Sequence, residues 1–217
     1  GSLTDVIQQA YQMKITQNEK GVPSKQIGVV ADTVQKILEG TILWEIDGTG
    51  KIHADMLMEK TGVSGTAKFG IRLFLEKGME EVAYFGMGPQ ESYRDKHQVP
   101  IMDVPGKIAE LHEDYIRPQE NGSHFDCDYV QAEGARYGLT AVSDDYIFLP
   151  GIRIYPGRAG TLCHNYELEK SGSTVLCIDY AQNGIGSNSC GPEVLEKYQF
   201  NNVLFRFRFT LVPFIKG

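Results

Sequence analysis

In "VLFRFRFTLV", residues 203–212, Phe205, Phe207, Phe209 and Leu211 alternate with Arg206, Arg208 and Thr210. Successive strand residues point to opposite faces, so this run sets four apolar groups on one side and the polar groups on the other. The pattern recurs. In "KIHADMLME", Ile52, Ala54, Met56 and Met58 alternate with His53, Asp55, Leu57 and Glu59, and "AKFGIRLFLEK" and "DYIFLPGIRIY" alternate in the same way. "TILWEID" precedes Gly48, and the Asp47-Gly48 step predicts a hairpin in which glycine takes a positive φ. Many short strands joined by Gly, Pro, Asn and Asp turns, without helical crossovers, predict an all-β antiparallel sandwich rather than a parallel α/β sheet.

Helix signals are few. "LTDVIQQAYQ" reads as about three helical turns and "GPEVLEKY" as one or two. With no linker or low-complexity stretch, residues 1–217 are expected to form a single β-sandwich domain. The lone tryptophan, Trp44, lies in an alternating strand and reads as core.

The net charge of −7 argues against a nucleic-acid surface, which needs clustered Lys and Arg to displace counterions. No run approaches the roughly 18 apolar residues of a membrane-spanning helix, and the N-terminus lacks signal-peptide regions, so a cytoplasmic protein is expected. "GSL" at the start reads as a cloning remnant. Cys127, Cys163, Cys177 and Cys190 are widely spaced, which favours reduced structural thiols over a zinc site or a disulfide framework. The histidines His97, His112, His124 and His164 form no ligand motif, and no metal or cofactor site is expected.

Three stretches concentrate polar groups. "YFGMGPQESYRDK", residues 84–96, runs from an apolar strand into Gln90, Glu91, Arg94 and Asp95. The tripeptide Pro-Gln-Glu returns in "YIRPQENGSHF", residues 115–125. Glu91 and Glu120 are either an acid/base pair of the glycosidase kind or turn-closing carboxylates that accept backbone N–H groups. The third stretch, "AQNGIGSNSCGPE" at residues 181–193, is a Gly- and Asn-rich loop after the apolar strand "STVLCIDY", either a wide connection or a functional surface held by a rigid sheet.

These segments carry a resemblance. "GMGPQESYRDK" is similar to the "GLGPQENYxDR" segment of the C-terminal, small-chain domain of glycoside hydrolase family 2 β-galactosidases. "YIRPQENGSHFD" resembles that domain's "YxxPQENG", and "IDYAQNGIGSNSCGPEV" resembles its late loop. The motifs stand in the family's order, and the similarity covers residues 80–213.

The resemblance implies a β-supersandwich of the galactose-mutarotase-like type. It also implies that the catalytic glutamates sit in a separate TIM barrel of about 250 residues, so this fragment has no catalytic residues and no cofactor of its own. Its partners would be the barrel and other domains of a homo-oligomeric parent acting on β-D-galactosides such as lactose. The domain would begin upstream of Gly1. Gly186, Asn188, Ser189 and Cys190 would edge the substrate site, with Cys190 where some members carry a sugar-stacking tryptophan. Glu91, Arg94, Asp95, Glu120 and Asn121 would organise turns beside it. The alternatives are an aldose 1-epimerase-like enzyme, pairing a histidine with Glu91 or Glu120, and a carbohydrate-binding module.

Overall fold

A computed structural model describes residues 7–17, 23–32, 36–61, 67–115, 122–150, 173–186 and 193–217. Eleven strands are formed among them: β1 (Ile7–Gln17), β2 (Pro23–Asp32), β3 (Lys36–Ile46), β4 (Ile52–Lys60), β5 (Lys68–Leu75), β6 (Glu81–Met87), β7 (Ile101–Lys107), β8 (Ser123–Glu133), β9 (Tyr137–Pro150), β10 (Thr174–Gln182) and β11 (Leu204–Ile215). The paired strands run antiparallel, and the fold class is all-β, as the alternation predicts. The contacts gather into two units, one of residues 1–66 with 201–212 and one of residues 67–200 with 213–217.

In the first unit β1 pairs β2, β2 pairs β3, β3 pairs β4 and β4 pairs β11. The Phe205/Phe207/Phe209/Leu211 face is buried, as are Ala54, Met56 and Met58 of β4, which lie in register with it. Trp44 is only half-buried and meets Phe209 edge-on, at 5.9 Å between ring centres. On the outer face Arg206 pairs with the Asp55 carboxylate through both Nε and Nη2.

Two local expectations need correction. The segment read as a helix from Leu3 is a strand over Ile7–Gln17, because the backbone N–H and C=O groups there are taken by the ladder with β2. Ladder pairing overrides the helical preference of Gln and Ala, which are good helix formers but yield to tertiary context. The hairpin after β3 is present, but its left-handed residue is Gly50, at φ +86, rather than Gly48. Asp47 Oδ1 closes the turn by accepting from the amides of Thr49 and Lys51 at 2.8 and 3.1 Å. The "GPEVLEKY" signal yields a single 3₁₀ turn at Glu196–Tyr198.

In the second unit the pairings run β9-β8-β6-β7, and β10 pairs with β5 and β9. β10 is buried at every residue from Thr174 to Asp179, so side chains on both of its faces are covered, and its Val175–Ile178 stretch is continuously apolar rather than alternating. Cys127 of β8 and Cys177 of β10 are buried thiols; Cys163 and Cys190 lie outside the described residues. Among the described residues no helix is long and apolar enough to cross a membrane.

Candidate functional site

Strand β6 delivers the first polar stretch. It ends at Met87, and the Gly88–Pro89 peptide bond that follows is cis. Gly88 lies against the Tyr84 hydroxyl, and a Cβ there would overlap that oxygen, so only glycine fits. The chain then closes a tight turn in which Tyr93 N–H donates to the Lys96 carbonyl at 2.7 Å and Lys96 N–H to the Tyr93 carbonyl at 3.0 Å. Arg94 and Asp95 form its corners.

Glu91 lies behind this turn and is 3% exposed. Its Oε2 accepts from the Tyr93 hydroxyl at 3.1 Å and from the Gly122 amide at 3.0 Å. Its Oε1 accepts from Lys96 Nζ at 2.6 Å and from the Tyr115 hydroxyl. Burial alone would raise the carboxyl's pKa, but the donors from Lys96, Tyr115 and Gly122 outweigh it and hold the group below the ordinary value. Burial and the adjacent Glu91 charge push the Tyr93 and Tyr115 hydroxyls up, so both remain donors.

Tyr115 and Gly122 flank the second Pro-Gln-Glu segment. One carboxylate from the first motif thus grips both ends of the second. Ser92 adds to the junction: its amide donates to the Ser123 carbonyl at 2.6 Å, and its hydroxyl accepts from the Phe125 amide at 2.8 Å. Glu120 and Asn121 themselves lie outside the described residues. Acid/base work by Glu91 would require an exchangeable proton facing a ligand, whereas four internal donors occupy its oxygens.

The third motif reaches the same turn. Where β10 ends, the Asn183 amide donates to the Ala67 carbonyl at 2.7 Å and the Gly184 amide to the Tyr198 carbonyl at 2.8 Å. The Ile185 amide then donates to Asp95 Oδ1 at 3.0 Å and the Gly186 amide to Asp95 Oδ2 at 2.8 Å. Gly186 has φ +72, in the region that glycine adopts without strain. Arg94 Nη1 donates to the Gln199 carbonyl at 3.3 Å, tying in the chain that returns from the loop. Asn188, Ser189 and Cys190 lie outside the described residues.

Beneath this edge His124 is buried, its Nδ1 2.9 Å from the Tyr84 hydroxyl and its ring tilted by 31° over the Tyr84 ring. Burial lowers its pKa to about 4, against the opposing pull of the Met87 and Gln90 carbonyls and of Glu91. His124 is therefore neutral at pH 7 and is part of the packing. His97 stands on the outside, with Nδ1 3.3 Å from the Tyr93 carbonyl, and His164 is outside the described residues. Among the described residues no group of three or more His, Cys, Asp or Glu is placed to hold a metal ion.

The structure therefore joins Glu91, Arg94 and Asp95 with the flanks of the second motif and with Gly186 of the third. It adds Tyr93, Lys96, Tyr115 and Gly184, which sequence reasoning left aside. Tyr93 and Lys96 sit within five residues of Glu91, and that density of donors beside a post-proline carboxylate was the signal available.

A family profile described as "Beta galactosidase small chain" matches residues 2–211. The β-galactosidase of Actinobacillus pleuropneumoniae is 35% identical over 209 residues, covering 94% of this chain and 20% of the relative. That of Staphylococcus xylosus is 34% identical over 210 residues, covering 95% and 21%. That of Kluyveromyces lactis is 30% identical over 169 residues, covering 74% and 16%. The chain spans about a fifth of the length of the first two of these relatives.

Proposed function

The chain belongs to the beta-galactosidase small-chain family, and from that premise we propose that it is a non-catalytic domain of a longer β-galactosidase, helping to shape the site where terminal β-D-galactosides such as lactose are hydrolysed. The observation that carries this reading is the convergence of three separated polar motifs on one turn, through Glu91 and Asp95. A fold needs no such junction to bury its core; a surface that must present backbone loops in fixed positions does. The loop of residues 183–192 is read as the presented element, with Gly186, Asn188, Ser189 and Cys190 at the substrate's edge.

Retaining hydrolysis needs two carboxylates about 5 Å apart across the scissile bond. In this reading they belong to the barrel of the parent enzyme, in the part of the relatives that this chain does not span. The barrel and the other domains are then its partners, the galactoside is a ligand of the assembled, homo-oligomeric enzyme, and the working compartment is the cytoplasm. An epimerase-like reading would require a histidine and Glu91 to face each other across open space; His124 and Glu91 are both buried and engaged with Tyr84 and with four donors respectively.

The chain by itself should release no nitrophenol from a nitrophenyl β-galactoside. Release above background that Glu91→Gln abolishes, in a protein with unchanged circular dichroism, would overturn the non-catalytic reading.

A further inference from the structure

We propose that Asp95 is a positioning residue for galactoside hydrolysis: its carboxylate fixes the backbone at Ile185 and Gly186 and so sets where the loop leaves the sheet toward the sugar. The inference rests on the placement of this edge beside the galactoside site.

The geometry is specific. Two successive amides address the two oxygens of one carboxylate, at 3.0 and 2.8 Å, which fixes both the position and the rotation of the peptide units. Charge-assisted bonds of this kind are roughly twice as strong as neutral ones. Gly184 is shaped to the same carboxylate, since a Cβ there would overlap its atoms. Gly186, the donor of the second bond, has φ +72, a conformation that glycine adopts without strain.

The anchor itself is rigid. Asp95 sits in the turn closed by Tyr93 and Lys96, and that turn is braced from within by the buried Glu91. Ile185, by contrast, is 44% exposed. What Asp95 holds is therefore the direction of a backbone rather than part of the core. Replacing it should redirect the loop without opening a cavity, and this separates positioning from stability.

The test uses the full-length β-galactosidase that carries this domain, as Asp95→Asn, Asp95→Ala and Asp95→Glu. Hydrogen–deuterium exchange of a peptide spanning residues 181–186 reads the latch, and lactose and nitrophenyl galactoside kinetics read its consequence. In Asp95→Asn and Asp95→Ala, exchange at Ile185 and Gly186 should accelerate at least about tenfold, because the protecting acceptor is weakened or gone. The value of kcat/KM should fall by roughly tenfold to a hundredfold, the scale of an ångström-sized misplacement. Oligomeric state should not change and any fall in Tm should be small beside the loss predicted for Glu91→Leu, since the freed amides can turn to solvent, and Asp95→Glu, which keeps the charge, should restore part of both readouts. Unchanged exchange would overturn the latch. Faster exchange with unchanged kinetics would overturn the positioning role and trace the error to the placement of this edge beside the sugar.

Discussion

Glu91→Leu should lower the stability of this chain by about 4 kcal/mol, because buried donors left without an acceptor cost about 1–3 kcal/mol each. At this chain length that corresponds to a fall in Tm of roughly 8–16 °C. The donors that suffer are the Tyr93 hydroxyl and the Gly122 amide, which leucine cannot satisfy and water cannot reach. Lys96, with its side chain 51% exposed, turns to solvent and loses little. Glu91→Gln keeps one acceptor oxygen and should lose about half as much. A fall within the error of the melting curve would show that Glu91 does not hold the two Pro-Gln-Glu segments together.

The same carboxylate gives the prediction a pH signature. Its folded pKa lies below the ordinary 4.5, so its stabilisation is fully present above that value and is lost as pH falls through the folded pKa. His124 acts in a separate window. The unfolded chain gains a proton near pH 6.5 that the folded chain refuses until about pH 4, so stability declines as pH drops between those values. In Glu91→Leu the decline below about pH 4.5 should flatten while the His124 slope remains.

Phe207→Ala should cost about 3–5 kcal/mol, the range for deleting a buried aromatic ring and leaving a cavity. Phe207 has no exposed surface, lies beside Phe209 at 5.0 Å between ring centres, and stands in register with the equally enclosed Met56. The neighbouring Arg206→Ala supplies the control. Arg206 points outward, and its exposed pair with Asp55 is of the kind that contributes little. Equal losses from the two variants, measured by urea titration, would contradict the assignment of inner and outer faces on β11.

That assignment could be read directly from residues, since a period of two in "FRFRFTL" dictates which side chains share a face whatever the strand pairs with. The strand at Ile7–Gln17 was harder to read, because the Gln-rich start before Tyr11 suits a helix as well as a strand; Tyr11, Met13 and Ile15 alternate with Gln12, Lys14 and Thr16, and the pairing with Pro23–Asp32 decides the state. The candidate site was legible only as a set of motifs. Glu91, Arg94 and Asp95 stood out by density of charge, but no spacing could show that Glu91 would reach Tyr115 and Gly122, 24 and 31 residues away, or that Asp95 would reach Gly186, 91 residues away. Such bonds depend on which strands end side by side, and topology is not written in any one segment. Gly184 illustrates the limit: its missing Cβ has meaning only once the Asp95 carboxylate is seen against it.

The most direct test of a site-shaping role is the lactose kinetics of the full-length enzyme carrying Gly186→Val. At φ +72 a β-branched residue is strained, so the backbone at this point must rotate away from Asp95 and carry the following residues with it. The kcat/KM for lactose should fall by about tenfold to a hundredfold in an enzyme that assembles normally, with a smaller loss for Gly186→Ala. Unaltered lactose kinetics in correctly assembled Gly186→Val would contradict it and leave this domain as a structural support remote from the sugar.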